Sequence, residues 1–277
     1  MNPYASRRQF FRTSGAAVLT GCLTSVSAGQ AKPQKGSFSL GMASYTFRKF
    51  TLEQAVAMTQ TVGVQKICLK SMHLPLEATA TEVKTAAESV RRAGLDLYGA
   101  GVIYMANEEQ VHQAFAYAQA AALKIIVGVP DYGLLALCDH KVRETGIILA
   151  IHNHGPGDQR YPSPADVYER VKKLDRRIGL CMDIGHTMRI GQDPAEAAKK
   201  YFDRLYDIHI KDVSAPSKEG RTVEIGRGVI DIPRLIKILT KMNYQGVLAL
   251  EYEKSENDPL PGAAESIGYV RGVIDAL

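Results

Sequence analysis

Hydrophobic and polar positions beyond Phe38 fall into two alternating kinds of segment. Short, nearly continuous aliphatic runs are typical of strands buried on both faces of a parallel sheet, and the longer segments between them carry helix-capping residues. We count eight such strand and helix units, with no tandem repeat between them. The predicted strands are Leu40–Ser44, Lys66–Lys70, Asp96–Ala100, Lys124–Val129, Ile147–His152, Ile178–Asp183, Leu205–Ile210 and Gly246–Glu251.

Capping signals support the helices between these strands. Thr51 with Gln54 and Asp193 with Glu196 have capping-box spacing, and Ser163 precedes a proline at the first helical position. Gly63 and Gly94 follow helical segments, as C-terminal caps do.

Eight strand and helix units within ~250 residues predict a closed (β/α)8 TIM barrel, a single α/β domain over residues 38–277. A doubly wound sheet is the alternative. The segment after the first strand, residues 42–47, lacks the glycines of a phosphate-binding loop, which argues against a dinucleotide fold.

Residues 1–28 are predicted to form an export signal. Arg7 and Arg8, followed by Phe10 and a mildly apolar run, resemble a twin-arginine leader, so we expect an exported, periplasmic protein. Cys22 ends a segment that resembles a lipoprotein processing box, so a lipid anchor there is the only membrane attachment we expect. An ordinary cleavage site near Ala28 is the alternative. Residues 29–37 are interpreted as a linker.

Charge excludes one class of partner. Five of the chain's 34 basic residues and none of its 29 acidic residues lie within residues 1–37, so the remainder is electrically balanced. Nucleic-acid binding that is independent of sequence needs a surplus of Lys and Arg, so we expect a small-molecule partner instead. The three cysteines beyond the leader show no metal-type spacing and imply no disulfide framework.

Polar side chains end the last four predicted strands. His152 with His154, Asp183 with His186, His209 with Lys211, and Glu251 with Glu253 follow aliphatic runs at strand parity. Carboxyl ends of barrel strands meet at one mouth, so His152, Asp183, His209 and Glu251 are predicted to converge. Two imidazoles and two carboxylates suit a divalent Mn, Co, Zn or Fe ion. Lys70, after the second strand, is expected to line the same mouth, whereas Glu253 is expected to be solvated beyond the rim.

The chain resembles the xylose isomerase-like TIM barrels of the sugar phosphate isomerase/epimerase family over residues 38–277. The motifs that carry the resemblance are residues 182–186 (MDIGH), 207–212 (DIHIKD), 225–231 (IGRGVID) and the last strand ending in Glu251. The resemblance implies metal ligands at His152, Asp183, His209 and Glu251, and His186, Lys211 and Arg227 near the substrate. One departure is that relatives commonly carry Glu where this chain has His152.

These features predict a metal-dependent isomerase or epimerase that abstracts a proton next to a carbonyl of a sugar or oxidised sugar. Glu251 is the candidate base, with His186 and Lys211 orienting oxygens, and His154, Arg227 and Lys70 are predicted to contact the substrate. A keto-sugar lyase or dehydratase is the runner-up, because only Glu251 is placed as a carboxylate base. A non-catalytic carbohydrate-binding lipoprotein also fits the pattern. A phosphodiester-cleaving enzyme like endonuclease IV would share the fold, but the balanced charge argues against it.

Overall fold

The computed structural model describes residues 38–277. The predicted export signal, the processing box at Cys22 and the linker lie outside the described residues and stay predictions. Within residues 38–277, no helix is both long enough and apolar enough to cross a membrane.

Eight parallel strands close into a barrel, which confirms the predicted TIM-barrel fold. Each strand neighbours the next along the chain, and the first pairs with the last through Ser39 beside Val247 and Met42 beside Leu250. The barrel strands are β1 Ser39–Ala43, β2 Lys66–Leu69, β3 Asp96–Met105, β4 Ile125–Pro130, β5 Ile148–His152, β6 Ile178–Asp183, β7 Leu205–Ile210 and β10 Val247–Leu250. Two short strands, β8 Asp212–Val213 and β9 Thr222–Val223, form an antiparallel hairpin after β7 that the sequence pattern did not predict.

Helices surround the barrel. They are α1 Leu52–Val62, α2 Ala80–Arg92, α3 Glu108–Ala120, α4 Leu135–Thr145, α5 Pro164–Val171, α6 Ile184–Arg189, α7 Pro194–Lys200, α8 Ile232–Lys241 and α9 Leu260–Ala276. In α8 the aliphatic side chains recur three and four positions apart and are buried, as expected of a helix that packs one face on a sheet: Ile232, Leu235, Ile236 and Leu239.

Local capping explains where several helices begin. The Thr51 hydroxyl accepts from the Gln54 backbone N–H while the Gln54 side chain accepts from the Thr51 N–H, which confirms the predicted capping box. Ser163 caps α5 and Asp193 caps α7, each ahead of a proline, and Gly63 ends α1 in the left-handed conformation (φ 82°).

The third strand is longer than predicted. Its pairing with β4 shifts between Ala100 and Ile103 and then resumes through Tyr104 and Met105. Gly101 permits this irregularity because its φ of +154° is one that L side chains rarely adopt, and a Cβ there would collide with the Val127 backbone. The extension carries Tyr104 to the barrel mouth, where it contacts His154.

Candidate metal centre

Four side chains at the carboxyl ends of neighbouring strands form a compact cluster. His152 and Asp183 are the last residues of β5 and β6, His209 is the fifth residue of β7, and Glu251 directly follows β10. One potential ligand atom from each residue lies within 4.8 Å of the others, and all four side chains are buried. We name these four residues the mouth cluster.

Strand register sets the positions of the mouth cluster. Asp183 pairs with His209 across β6 and β7, and Ala249 pairs with His209 across β10 and β7. The Glu251 N–H donates to the Ile210 carbonyl at 3.0 Å, which continues the sheet beyond β10 and turns the Glu251 side chain inward. The period-two alternation of these strands therefore selects the polar residues that meet.

Distances within the mouth cluster fit a single metal ion. His152 Nε2 lies 3.2 Å from His209 Nδ1 and 3.4 Å from Asp183 Oδ2, and His209 Nδ1 lies 3.4 Å from Glu251 Oε2. Ligands of a tetrahedral ion with bonds of ~2.1 Å are separated by ~3.4 Å. These three contacts match that separation.

Unbalanced charge is a second observation that fits a divalent ion. Three carboxylates, Asp183, Glu251 and Glu253, contact a single ammonium, that of Lys211, so formal charges leave this group at −2. The Asp183 Oδ2 atom is fully buried and accepts no well-aligned hydrogen bond, although Lys211 Nζ is 2.9 Å away. Buried charge is costly without compensation, and a divalent cation held by the mouth cluster would balance it.

The two imidazoles of the mouth cluster differ in their pKa shifts. Burial lowers the pKa of His152 to about 3, so this ring is neutral at pH 7 and keeps a lone pair for a metal. Burial also disfavours a charge on His209, but the Glu251 and Asp207 carboxylates outweigh it and raise the His209 pKa. Burial raises the pKa of Asp207 itself to about 6.

Lys211 and two of its carboxylate partners, Asp183 and Glu251, favour each other's charged forms. Although burial opposes ionisation, Lys211 and His209 hold the pKa of Glu251 well below its ordinary range. Burial likewise opposes the charge on Asp183, yet His186 and Lys211 lower its pKa. Burial opposes the charge on Lys211 as well, but Asp183 and Glu251 raise its pKa well above the usual value, so the ammonium is retained at neutral pH.

Neighbouring groups orient the mouth cluster. Asp183 Oδ1 accepts from the His186 N–H at 2.7 Å and starts α6, which leaves Oδ2 facing His152 and Lys211. Asn153 accepts from the Asp183 N–H at 3.0 Å and donates to the Asp183 carbonyl at 3.4 Å. Such supporting groups fix the geometry of metal ligands in many proteins.

Gly185 leaves room for Lys211. A Cβ on this glycine would collide with Lys211 Cγ, so any larger residue would displace the lysine side chain. The glycine of the MDIGH motif is therefore explained by the close passage of Lys211 beneath α6.

The remaining predicted site residues occupy different places. His186 and His154 lie beside the mouth cluster, with ring centroids 6.0 and 4.6 Å from that of His152. Arg227 does not join them: its side chain is 64% exposed and pairs with Glu265 on α9 at 2.5 and 2.9 Å. A role for Arg227 at the substrate stays a prediction.

Lys70 faces the mouth on the opposite side. Its ammonium donates to the Val102 carbonyl at 3.0 Å and lies 5.8 Å from the centre of the Tyr45 ring and 6.0 Å from that of Tyr104. Burial lowers the pKa of Lys70 more strongly than the charge of Glu251 raises it, so the net shift is downward.

Sequence reasoning missed three residues of the site. Glu253 was expected to be solvated, but its side chain is only 33% exposed and contacts Lys211. Asp207, two residues before His209 on the same strand face, has Oδ2 3.8 Å from His209 Nε2 and accepts from Tyr98 at 3.3 Å. Tyr104 donates to or accepts from His154 at 2.9 Å. The period-two alternation of the strands could have placed Glu253 and Asp207 on the inward face. The position of Tyr104, in contrast, depends on the irregular pairing at the end of β3.

Comparisons with known proteins agree with this architecture. Residues 133–273, just over half of the chain, match the family model described as the xylose isomerase-like TIM barrel. An inosose dehydratase from Clostridium botulinum is 32% identical over 166 residues, which cover 52% of each chain. The chain spans about half the length of the curated relatives it matches.

Solved structures show the same fold over a larger part of the chain. The IOLI protein with a bound zinc atom superposes with a TM-score of 0.71 at 15% identity, covering 86% of this chain and 99% of that one. A 3-keto-D-glucoside 4-epimerase from E. coli gives a TM-score of 0.69 at 16% identity, covering 85% and 99%. By its fold and its family match, this chain belongs to the xylose isomerase-like TIM barrel family.

Proposed function

We propose that this protein is a divalent-metal-dependent enzyme that moves a proton next to a carbonyl of a sugar or an oxidised sugar. The observation that carries the proposal is the mouth cluster, whose four buried ligand atoms lie within 4.8 Å of one another beside Lys211. Relatives named as an inosose dehydratase and a 3-keto-glucoside epimerase support the sugar-like substrate. The two imidazoles and two carboxylates suit Mn, Co, Zn or Fe.

Residues of the chain divide the chemistry between them. His152, Asp183, His209 and Glu251 would hold the ion, which would polarise two adjacent substrate oxygens as a Lewis acid. The Glu251 carboxylate takes the proton from the carbon next to the carbonyl, because its lowered pKa keeps it ionised. The Lys211 ammonium, 2.7 Å from Glu251, donates to the oxygen on which negative charge develops.

Two outcomes share this first step. In isomerisation or epimerisation, the proton returns to carbon and the atoms of the substrate are only rearranged. In dehydration, the C–H electron pair forms a double bond while the neighbouring hydroxyl leaves, with a proton from Lys211, as water. Lys211 Nζ lies 2.7 Å from Glu251, so an N–H donor stands beside the proposed base, and the relatives named inosose dehydratases favour dehydration as the second candidate.

Solvent-isotope labelling distinguishes these outcomes. Metal-loaded protein is incubated in D₂O with inosose, a 3-keto-glucoside and a ketohexose, and products are followed by NMR and mass spectrometry. An isomerase or epimerase introduces deuterium into the sugar, and the product loses no water. A dehydratase releases water and forms an unsaturated ketone. If neither change occurs with any cyclic or linear keto-sugar while the sugars still bind, the protein is a non-catalytic carbohydrate-binding protein.

Glu251→Gln tests the assignment of the base. General acid-base groups typically contribute ~10²–10⁴-fold in rate, so the variant, reloaded with metal, is expected to lose at least ~10²-fold in turnover. Glu169→Gln is the control. Glu169 is an exposed residue of α5 and pairs with Lys172, which directly follows this helix. Near-normal turnover by metal-loaded Glu251→Gln contradicts the role of Glu251.

Export is a separate part of the proposal. The adjacent Arg7 and Arg8 ahead of an apolar run support a twin-arginine route to the periplasm. Changing both to Lys keeps the charge and is expected to retain the protein in the cytoplasm, as measured by cell fractionation. Normal periplasmic yield of the Lys-Lys variant contradicts this route.

A further inference from the structure

Considering residues 38–277, no carboxylate lies within ion-pair distance of the Lys70 ammonium. Arg48 pairs with Glu256 at 3.2 Å, and Arg160 pairs with Asp131 at 2.5 Å. On the far side of the mouth, Lys211 contacts three carboxylates.

The surroundings of Lys70 compensate its charge only in part. The ammonium is partly buried and donates to the Val102 carbonyl at 3.0 Å. The rings of Tyr45 and Tyr104, at 5.8 and 6.0 Å, add cation–π attraction. Burial of the ammonium lowers the Lys70 pKa, which indicates that the protein groups alone do not offset desolvation.

Tyr104 is half-exposed and already contacts a histidine and two cations. Its ring stacks with His154 at a centroid distance of 5.5 Å, and the Arg160 guanidinium and the Lys70 ammonium each lie 6.0 Å from its centre. The two tyrosine rings therefore contact cations. The positive charge of Lys70 has no carboxylate partner, and a negatively charged ligand would supply one.

Barrel geometry connects Lys70 to the mouth cluster. Lys70 directly follows β2, which neighbours β1, and β1 neighbours β10, the strand that leads into Glu251. Tyr104 links the Lys70 side of the mouth to His154, whose ring lies 4.6 Å from that of His152. One small molecule can therefore face both groups.

We propose that Lys70, held between Tyr45 and Tyr104, is a carboxylate-binding subsite, so that the substrate is a sugar acid such as a uronate or its keto derivative. The proposal rests on the proposed function, since the carbonyl end of the same molecule would face the mouth cluster. A phosphate usually needs several donors, such as a bidentate Arg or a row of backbone N–H groups, and a single ammonium suits the smaller charge of a carboxylate.

Binding measurements test the subsite without relying on turnover. The full metal-loaded protein is titrated with D-glucuronate, D-glucose and D-glucose 6-phosphate, and affinities are obtained from NMR shifts. Wild type is expected to bind glucuronate at least about tenfold more tightly than glucose, since a hydrogen bond between charged groups typically contributes ~1.5–3 kcal/mol.

In Lys70→Met, the affinities for glucuronate and glucose are expected to differ by no more than about twofold. Lys70→Arg is expected to keep the preference for glucuronate. Lys66→Met is the matched control, because Lys66 lies at the opposite end of β2 and pairs with Asp96. Its sugar affinities are expected to equal those of wild type.

The subsite is overturned if wild type does not prefer glucuronate or binds none of the three sugars. It is also overturned if the preference for glucuronate survives Lys70→Met. A Lys70-dependent preference for glucose 6-phosphate over glucuronate overturns it as well. The proposed function fails differently, through the absence of both deuterium incorporation and water release when a keto-uronate is assayed beside the neutral keto-sugars. Turnover of a neutral keto-sugar by a protein that shows no carboxylate preference overturns the subsite alone.

Discussion

His152 illustrates how one residue changes the charge of a candidate metal centre. The family resemblance predicts a glutamate at this position, whereas His152 is neutral because burial lowers its pKa to about 3. The mouth cluster therefore has two carboxylates and two imidazoles, a donor set that suits Zn, Co or Fe at least as well as Mn. A third carboxylate, Glu253, stands outside the cluster and contacts Lys211 instead.

Glu224 shows a second single-residue effect, on stability. Its carboxylate accepts from Tyr252 at 2.7 Å and contacts Lys254 at 2.8 Å, close to the chain segment that follows Glu251. Lys254 and Tyr252, through these hydrogen bonds, lower the pKa of Glu224 to about 2.

We predict a pH-dependent stability difference between wild type and Glu224→Gln. Because the folded-state pKa lies below the unfolded value near 4.5, Glu224 stabilises the folded protein above pH ~4.5 and loses this effect as the pH falls towards 2. Thermal melts at stepped pH are expected to show a higher Tm for wild type at pH 6 and a difference that shrinks below pH ~4.5. A constant difference from pH 6 to pH 3 contradicts the pKa shift as its cause.

At the scale of elements, the loop between β9 and α8 is organised by one buried carboxylate. Asp212 accepts four backbone N–H groups at 2.9 to 3.1 Å, those of Val213, Gly226, Gly228 and Ile230. This explains the glycines of the IGRGVID motif: Gly226 has a φ of +92°, and a Cβ on Gly228 would collide with the Asp212 carboxylate. The motif therefore shapes a loop, while its arginine points outward to α9.

We predict that Asp212→Ala lowers the free energy of unfolding by about 3 kcal/mol, because several buried donors lose their charged acceptor. Asp231→Ala is the control: Asp231 caps α8 through one bond to the Arg234 N–H, and its loss should cost about 1 kcal/mol. Urea unfolding measures both. Equal destabilisation by the two substitutions contradicts the organising role of Asp212.

At the scale of the whole molecule, the barrel is closed beside the candidate site. The Thr46 hydroxyl, in the turn that follows β1, donates to the Leu250 carbonyl at 3.1 Å and accepts from the Tyr252 N–H at 3.0 Å, joining this turn to the last strand on either side of Glu251. An ion bound by β5, β6, β7 and the end of β10 would therefore link half of the barrel strands, so metal binding and global stability should be coupled.

We predict that Zn²⁺ at a free concentration of about 100 Kd stabilises the protein by about 2.7 kcal/mol. For a domain of this size, the shift corresponds to a rise in Tm of roughly 5–10 °C, which EDTA should reverse. Differential scanning calorimetry measures both transitions.

Asp183→Asn is the matched control for the metal-dependent shift. Asparagine keeps an oxygen that can accept from the His186 N–H, as Asp183 Oδ1 does, but removes the negative charge that faces His152 and Lys211. Its Tm is expected to respond weakly to Zn²⁺. An equal response of both proteins excludes the mouth cluster as the source of the stabilisation.

Local patterns in the sequence were sufficient to determine the barrel, the capped helices and the polar strand ends. Strand alternation has a period of two and capping bonds span three residues, so both are encoded within a few neighbouring positions. The sequence alone groups His152, Asp183, His209 and Glu251, because barrel strands present their carboxyl ends at one mouth.

Only the tertiary structure decided which side chains meet within that mouth. The three acidic contacts of Lys211, the inward turn of Glu253 and the exposed pairing of Arg227 depend on register and loop paths between residues far apart in the chain. Thr46 and Leu250, 204 positions apart, are one example. Such contacts arise from barrel closure, which no short segment encodes, and so the contacts of Tyr104 with Lys70 and His154 became visible only in the folded chain.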